Sequence, residues 1–307
     1  MADRGDSGER EAILVSIVIV TWNARPVLQR CVESLLLHPP SGSWEVVVVD
    51  NASTDDTLTM LAEKAPWARV IANRHNVGLA AANNQGLSAS RGQAIVISNP
   101  DVLFSAGAID ALRDALDRHP RAAFAVPRLL HPDGRLQTSA GDLPGFAEAF
   151  AGRSASQSRS SAVGGRSGFW WDGWAHDEEL PIGHGAESCY VVRTSALAEI
   201  GPQDPRFFLD WEGIEWSRRA ARHGWEIWLC SSAEVVHLGG ESIQQNRARW
   251  VVSSHTGMYR YFSADTAAVL RPFLALLIAS RALVKLAALA VGAPLYDRAN
   301  RSNDVSR

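Results

Sequence analysis

Cysteine is scarce in this 307-residue chain: Cys31, Cys189 and Cys230 are the only three, and they lie far apart. An odd number of widely spaced cysteines with no CxxC pair argues against a disulfide framework and against a structural zinc site. A reducing compartment such as the cytoplasm is therefore expected.

The basic leader of a secretory signal is also missing. Asp3, Asp6, Glu9 and Glu11 stand where such a signal carries positive charge, and the apolar run that follows is short. We therefore predict that residues 1–11 form a disordered tail and that a strand comes next.

Glycine-rich phosphate motifs are absent too. No GxGxxG follows a predicted strand, and the chain contains no GxxxxGK[ST]. These absences disfavour a dinucleotide-dependent oxidoreductase and a P-loop NTPase. A ligand that carries phosphate would need another partner, and a divalent metal held by carboxylates is the simplest one.

Short Val/Ile-rich runs alternate with helical patterns through the first half of the chain. The composition, 46% hydrophobic and 21% charged, is that of a globular protein. Continuous apolar runs between helical stretches indicate an α/β fold with a doubly wound, mostly parallel sheet and helices on both faces. The predicted strands of this half are AILVSIVIV, WEVVVVD, ARVIAN and QAIVISN.

We predict one α/β domain over residues 12–243 and a helical extension over residues 244–307. A Ser/Gly/Arg-rich stretch within the domain, residues 152–168, is predicted to be a flexible loop. The extension holds nine Lys/Arg and three Asp, a net charge of about +6, whereas the whole chain carries −3 and the remainder about −9. This asymmetry suggests an anionic partner for the extension.

The extension contains a long apolar run, LRPFLALLIASRALVKLAALAVGAPL. Arg281 and Lys285 argue against a transmembrane helix, because a charge at the bilayer centre costs about 2.5–3.5 kcal/mol. With Arg271 they predict one polar stripe on an apolar helix that lies in the plane of an anionic membrane surface. Packing on the domain, or on a second subunit of a homo-oligomer, is the alternative, and no nucleic-acid partner is expected.

Polar residues follow three of the predicted strands at the point where each strand ends. Thr21 and Asn23 follow the first, Asp50 follows the second, and Asp101 follows the fourth. Open α/β sheets bind ligands outside the carboxyl ends of their strands. We therefore expect Asp101 to hold Mg²⁺ or Mn²⁺ and the ion to bind a diphosphate. The alternative is that Asp101 only caps a turn.

Eight stretches along the chain, in order, resemble one family. VSIVIVTWNARPVLQRCVESLL, EVVVVDNASTDDT, NRHNVGLAAANNQG and ISNPDV resemble family-2 inverting glycosyltransferases of the GT-A fold. HPDGRLQ, GAESCYVVR, DPRFFLDWEGIEWSRRAARHGW and AEVVHLGGES resemble the rhamnosyltransferase-like branch of that family. The resemblance extends from about Val15 to Ser242.

The resemblance implies a binding site for a nucleotide-diphosphate sugar. The residues it assigns to this site are Thr21, Asn23, Asp50, Asn76, Gly78, Asn84 and Asp101. It also implies that His237 shares the metal ion with Asp101. The alternatives are structural: an Asx turn at Asp50, a core histidine at His237 and backbone freedom at Gly78.

The resemblance further implies a catalytic base near the start of a helix at Glu212. The family usually has two acids in succession there, and Gly213 replaces the second one, the usual base. Glu212, Asp210 and Glu215 remain as candidates in that order, because a helix N-terminus favours an ionised Glu212. Glu215 could instead pair with an arginine, such as Arg219, at helical spacing.

Acceptor contacts are expected from a tryptophan-rich lid, because indole faces stack on sugar rings. The candidate acceptor residues are Trp170, Trp171, Trp174, Glu187 and Trp211. Glu187 stands where the family usually has a small residue. Core packing is the alternative for each tryptophan.

Together with the resemblance, these features imply an enzyme, a metal-dependent inverting glycosyltransferase. It is expected to move L-rhamnose from dTDP-L-rhamnose to a hydroxyl of a lipid-linked or cell-surface glycan, in the cytoplasm or at the inner face of the plasma membrane. A catalytically degenerate binding or scaffold subunit is the alternative that Gly213 favours. A nucleotidyltransferase would need a basic, glycine-rich loop after the first strand, and TWNARP is not one.

Overall fold

The computed structural model describes residues 13–151, 166–239 and 247–292. The predicted tail at residues 1–11 and most of the predicted loop at 152–168 lie outside the described residues.

The described chain forms strands and helices in the alternation that the sequence predicts. The strands are β1 (Val15–Thr21), β2 (Trp44–Asp50), β3 (Arg69–Ala72), β4 (Ala94–Ser98), β5 (Val102–Phe104), β6 (Ala122–Leu130), β7 (Leu136–Gln137), β8 (Ala140–Gly141), β9 (Leu180–Ile182), β10 (His184–Gly185), β11 (Cys189–Arg193) and β12 (Glu226–His237). The helices are α1 (Arg25–Leu37), α2 (Thr57–Lys64), α3 (Leu79–Ala89), α4 (Ala108–Arg118), α5 (Phe146–Ala151), α6 (Thr194–Ile200), α7 (Glu212–Arg222), α8 (Arg247–Ser263) and α9 (Arg271–Ala290).

A ten-stranded sheet forms the centre, with its main path in the order β3-β2-β1-β4-β11-β6-β12-β5. Strands β1 to β4 pair in parallel, whereas β11 is antiparallel to both β4 and β6. One apolar layer packs α1, α2 and α4 on one face, and a second layer packs α3, α6 and α7 on the other. The predicted doubly wound architecture is therefore confirmed.

The sequence pattern after β2 predicts a helix from Thr54 to Lys64, but α2 begins at Thr57. The Thr54 N–H donates to Asn23 Oδ1 over 2.7 Å, and the Thr57 N–H donates to Asp55 Oδ1 over 3.2 Å. The residues between β2 and α2 thus form a loop that is tied to the end of β1.

The described part of the extension, residues 247–292, is mainly helical, as predicted, and it packs against the domain through an aromatic cluster. Phe207, Trp211 and Ile214 of the domain share this cluster with Met258 and Tyr261 of α8. The Asp210–Trp211 segment, which leads into α7, therefore rests directly on the extension.

Helix α9 presents Arg281 and Lys285 to the protein and many of its apolar side chains to the outside. Arg281 Nη1 lies 3.1 Å from His255 Nε2 of α8, and Lys285 Nζ lies 5.8 Å from the Trp250 ring centroid. The predicted polar stripe therefore faces inward at these two positions, and Arg271 alone of the three is exposed. The inward position is possible because α8 supplies a histidine acceptor and an aromatic face.

The outer face of α9 is correspondingly apolar. Phe273 and Leu276 are 69% and 71% exposed, and Leu283 and Val284 are exposed to a similar degree. Residues Ala268–Ala290 are long and apolar enough to cross a membrane, by length and composition alone. No charged side chain interrupts this face between Phe273 and Val284 except Arg281, which turns toward α8.

Candidate active site

Thr21 and Asp50 meet at one rim of the sheet, as predicted from the strand ends. They are direct neighbours in the β1–β2 register, and both are buried. Asp50 Oδ2 accepts the Ser53 N–H over 3.0 Å, but Asp50 Oδ1 and Thr21 Oγ1 have no hydrogen-bond partner. Buried polar atoms without a partner are costly, so these two atoms point to a ligand that completes their hydrogen bonds.

Asn23 connects the loops that follow β1 and β2. Its backbone is left-handed, with φ of 48°. Its N–H donates to Ser53 Oγ over 2.9 Å, and its Oδ1 accepts the Thr54 N–H. Asn23 therefore shapes the wall of the rim, and its side-chain oxygen is occupied in doing so.

Asn51, which was not predicted as a site residue, organises the next wall. Its Nδ2 donates to Asn76 Oδ1 over 3.0 Å, and its Oδ1 accepts the Val77 N–H over 3.0 Å. An amide directly after a strand-end acid is the only sequence signal for this role. Asn76 thus accepts a hydrogen bond from Asn51 and helps to hold this wall of the rim in place.

Gly78 permits a close approach between this wall and the segment before α7. Its φ is 90°, and a Cβ there would lie 2.9 Å from the Phe208 carbonyl oxygen. The Leu79 N–H donates to that same oxygen over 2.7 Å. Both the positive φ and the contact require glycine.

Asn84 uses its whole amide on backbone contacts with one residue. Its Nδ2 donates to the Gln203 carbonyl over 2.7 Å, and its Oδ1 accepts the Gln203 N–H over 2.9 Å. Asn84 therefore positions the segment that leads to the acid residues of α7, and this contact occupies the amide that was expected to line the nucleotide pocket.

Asp101 and His237 meet where β5 pairs with the end of β12. His237 is paired with Val102 in this antiparallel register, and His237 Nε2 lies 3.4 Å from Asp101 Oδ1. His237 Nδ1 lies 2.7 Å from Gln137 Oε1, an acceptor, so Nδ1 donates this hydrogen bond and Nε2 is the ring nitrogen that faces Asp101.

This pair fits a divalent ion that a substrate helps to hold. The residues that the structure describes contain no group of three or more His, Cys, Asp or Glu that could form a protein-only metal site. Mg²⁺ usually takes one or two carboxylates and completes its shell with substrate phosphates and water. The Asp101 carboxylate, just before β5, and the His237 imidazole, at the end of β12, could supply the protein's share of such a shell.

Asp210 and Trp211 form a strained turn at the start of α7, which we call the acid turn. Both residues are left-handed, with φ of 67° and 74°, which costs about 1–3 kcal/mol each in non-glycine residues. Trp211 is buried in the aromatic cluster, and a Cβ at Gly257 of α8 would lie 3.0 Å from the Asp210 carbonyl oxygen. Close packing against α8 holds the turn.

Two glutamates, Glu212 and Glu187, lie next to each other at the start of α7. Glu212 is 1% exposed, and neither of its carboxyl oxygens has a hydrogen-bond donor. Burial, then the neighbouring Glu187 and Asp210, raise the pKa of Glu212 well above its usual range. Burial and the two neighbouring acids thus oppose the ionised form of Glu212, which the helix N-terminus alone would favour.

Glu215 is engaged in a structural ion pair. Its Oε2 lies 2.8 Å from Arg219 Nη2, one turn further along α7. Arg219 also donates to the carbonyls of Ile200 and Pro202, both over 2.7 Å. The structural alternative for Glu215 is the one that these contacts favour.

The four candidate tryptophans divide into two kinds. Trp171 and Trp211 are buried in apolar clusters, so their faces are not open to an acceptor. Trp170 and Trp174 are partly exposed. Only the second pair can offer a face to a sugar.

The fold is shared with solved glycosyltransferases. It is similar to the mannosyltransferase PcManGT from Pyrobaculum calidifontis in complex with GDP-Man and Mn²⁺, with a TM-score of 0.53 and 18% identity over 91% of this chain and 76% of that chain. GalNAc-T7, solved with UDP, GalNAc and Mn²⁺, gives a TM-score of 0.54 and 17% identity over 75% of this chain and 44% of that chain. At these identities the likeness establishes the GT-A fold alone.

Sequence comparison supplies the family. Residues 16–171 match the model of glycosyl transferase family 2. The chain is 31% identical over 275 residues to an N-acetylglucosaminyl-diphospho-decaprenol L-rhamnosyltransferase of Mycobacterium tuberculosis, covering 82% of this chain and 84% of the relative. It is 23% identical over 250 residues to the low-salt glycan biosynthesis hexosyltransferase Agl10 of Haloferax volcanii, covering 76% and 69%. The chain belongs to glycosyl transferase family 2, which confirms the family that its motifs predicted.

Proposed function

We propose that this protein transfers L-rhamnose from dTDP-L-rhamnose to a hydroxyl of a lipid-linked or cell-surface glycan. The observation that carries the proposal is the rim itself, where two buried, unpartnered oxygens of Thr21 and Asp50 share one sheet edge with the Asp101–His237 pair. The 31% identical relative is an N-acetylglucosaminyl-diphospho-decaprenol L-rhamnosyltransferase, which supports both the rhamnosyl donor and an acceptor that bears a diphospho-lipid.

The residues of the rim divide the work of binding and chemistry. Thr21 Oγ1 and Asp50 Oδ1 bind the nucleotide, and Asp101 with His237 would hold Mg²⁺ or Mn²⁺ together with the donor. When bound, such an ion supplies positive charge that stabilises the departing diphosphate. A carboxylate near the start of α7 takes the proton of the acceptor hydroxyl, which attacks the anomeric carbon opposite the leaving group and inverts it.

The apolar face of α9 supports a location at the inner surface of the plasma membrane. A lipid-linked acceptor has its diphosphate at that surface, and a helix with an exposed apolar face can be buried in the interface there. The net positive charge of residues 244–307 agrees with this location. The apolar contact with lipid does not require Arg281 to face the membrane.

Transfer and metal dependence can be tested together. Purified protein is mixed with dTDP-L-rhamnose, Mn²⁺ and a synthetic N-acetylglucosaminyl diphosphate on a short isoprenoid, and product is followed by mass spectrometry. Asp101→Ala is expected to lose at least about 100-fold in kcat, because several kcal/mol of charge stabilisation depend on this site. Asp133→Ala, an exposed acid that pairs with Arg135 in a surface turn, is the matched control.

Two outcomes would contradict the proposal. Full turnover in the presence of EDTA would show that the reaction needs no divalent metal ion. Neither transfer nor donor hydrolysis by the wild-type protein with this pair would favour the scaffold alternative.

A further inference from the structure

Glu187 fills the space beside Gly213, the second residue of α7. A Cβ at position 213 would lie 2.7 Å from Glu187 Cγ and 2.8 Å from its carboxyl carbon. These distances are shorter than carbon atoms allow, so a side chain at 213 and the present position of Glu187 exclude each other. Glu187 enters from the turn between β10 and β11, whereas Asp210 and Glu212 belong to the turn before α7 and to the helix itself. Gly213 is therefore the residue that lets this acid reach the helix start.

Glu187 and Glu212 differ in access and in hydrogen bonding. Glu187 is partly exposed, and its Oε1 accepts the Ile214 N–H over 3.2 Å. Glu212 is enclosed and has no donor. An N–H in the first turn of a helix stabilises negative charge, so of the two carboxyls the Glu187 carboxyl is the one expected to be ionised. A buried carboxyl without a donor is stable only as the neutral acid, which places the proton on Glu212.

Asp210 is bound on another side. Its carboxyl lies within reach of Ser254 and Trp250, and Lys285 is the cation close enough to affect it. These three side chains belong to α8 and α9, so Asp210 is held by the extension. Of the three acids, Glu187 is the one whose carboxyl accepts a hydrogen bond from the first turn of α7, through the Ile214 N–H.

We propose, given the glycosyl transfer proposed above, that Glu187 is the catalytic base and that Glu212 is a positioning residue that keeps it ionised. The Glu187 carboxylate takes the proton of the acceptor hydroxyl as that oxygen bonds to the anomeric carbon. The bond from the anomeric carbon to the diphosphate oxygen breaks, and the nucleotide diphosphate leaves with the electron pair. Glu187 then releases its proton to solvent.

The acid–base properties of the pair agree with this assignment. Burial, with Asp210 as a further cause, raises the pKa of Glu187 to about 7, whereas the hydrogen bond with Glu212 and the N–H groups of α7 oppose the rise. Glu212 and Asp210 face Glu187 from the start of α7, and Tyr190 faces it from β11. A base is most effective when its pKa lies near the working pH.

Three glutamine variants, compared in the transfer assay described above, show whether Glu187 or Glu212 is the base. Glu187→Gln is expected to lose about 10²–10⁴-fold in kcat with donor binding unchanged by calorimetry. Glu212→Gln keeps the neutral hydrogen-bonding form and is expected to stay within about tenfold of wild type, since one hydrogen bond is worth about 1 kcal/mol. Glu178→Gln, whose side chain is exposed, is the control. A large loss in Glu212→Gln beside a mild one in Glu187→Gln would overturn the assignment.

A relocated carboxylate provides the second test. Glu187→Ala leaves room at position 213, so Glu187→Ala/Gly213→Asp should recover at least about tenfold over Glu187→Ala alone. Glu187→Ala/Gly213→Asn has the same shape without the charge and should recover nothing. Equal recovery by the Asn variant would show that no carboxylate is needed there, which contradicts the proposal.

A readout without turnover keeps this inference separate from the proposed function. In protein labelled with ¹³C at glutamate carboxyls, the Glu187 signal is expected to show the ionised form at a lower pH than the Glu212 signal. The opposite order would overturn the base assignment even in an active enzyme. Absence of wild-type transfer with the expected order of titration would instead count against the sugar transfer.

Discussion

Glu212 illustrates how burial and neighbouring charge decide the state of one carboxyl. The side chain begins α7, where a helix dipole alone would favour an anion. Burial and the adjacent Glu187 and Asp210 act in the opposite direction, and burial is the largest of these effects on the pKa. The position in the helix was visible in the sequence, but the neighbour from the β10–β11 turn was not.

Replacing Glu212 should therefore change how stability depends on pH. A raised pKa means that the folded state holds a proton that the unfolded state releases above about pH 4.3, so the free energy of unfolding falls as pH rises above that value. Glu212→Gln removes this slope. We expect its Tm to exceed that of wild type by about 2 °C or more at pH 8, since 1 kcal/mol shifts Tm by about 2–4 °C in domains of this size.

The difference in Tm between Glu212→Gln and wild type should shrink toward pH 5, because the free-energy cost of keeping the proton on Glu212 falls as the pH approaches the unfolded-state pKa of about 4.3. Thermal unfolding at several pH values checks this, with Glu178→Gln as the exposed control. A Tm gain that is the same at pH 5 and pH 8 would show that Glu212 is not protonated in the folded protein.

Helix α8 supports the acid turn by lying close to it. Gly257 lies against Trp211 Cδ1 and the Asp210 carbonyl, where a Cβ would approach to 2.9 and 3.0 Å. Because the two turn residues are left-handed, the turn depends on packing from outside to stay in place. The geometry of the acids is thus set in part by a helix that follows the domain in sequence.

A methyl group at position 257 should disturb this support. Gly257→Ala is expected to destabilise the protein by about 1–3 kcal/mol through overpacking, although the same change in an open helix usually stabilises. The kcat should fall with it, because Asp210 and the start of α7 must move. Chemical denaturation and the transfer assay measure both effects.

Thr256→Ala, one position earlier on the exposed side of α8, is the matched control and should be nearly neutral. A Gly257→Ala protein as stable and active as wild type would mean that the turn does not depend on α8.

The accuracy of the sequence-based predictions followed the range of the interactions involved. The predicted strand WEVVVVD has the same first and last residues as β2, because its continuous valine run is also buried in the sheet. The strand β6 was missed because Pro127 and several alanines hide its pattern. The segments WEIWLC and AEVVH each have the apolar pattern of a separate strand, but they form one strand, β12, whose pairing shifts between Cys230 and Glu234. Such a bulge depends on the partner strand and leaves no local signal.

The same distinction holds within the site. Thr21, Asp50 and Asp101 were predicted because strand ends converge in every parallel sheet. The contact between Glu187 and Gly213 was not, since it joins positions 26 residues apart through a turn and a helix start. Likewise, the burial of Trp171 and Trp211 depends on partners from distant elements.

The outward face of α9 distinguishes the protein as a whole from a compact enzyme with a polar surface. A contiguous set of exposed apolar side chains on one helix is typical of a surface that contacts lipid or another protein. Because Arg281 and Lys285 point inward, attraction to lipid depends on apolar contact more than on these charges.

Vesicle binding should therefore depend on Leu276 and Leu283. Each leucine contributes about 1.5–3 kcal/mol when buried, so Leu276→Gln/Leu283→Gln is expected to weaken binding at least tenfold in flotation with phosphatidylglycerol-containing vesicles. Both side chains are exposed, so Tm should not change. Leu37→Gln, equally exposed on α1, is the control.

Unchanged flotation of the double variant would exclude this face as the lipid contact. Loss of binding with a parallel change in molecular mass in solution would instead identify the face as a contact between subunits.

The shared aromatic cluster has a practical consequence for shortening the chain. Cutting after residue 243, where the α/β pattern ends, would remove Met258 and Tyr261 from beneath Trp211 and Gly257 from beside Asp210. A truncated protein made to improve solubility would lose its exposed apolar helix, but it would also lose the packing that holds the acid turn. Substituting outward side chains of α9 with polar residues is therefore the safer route to a soluble and active preparation.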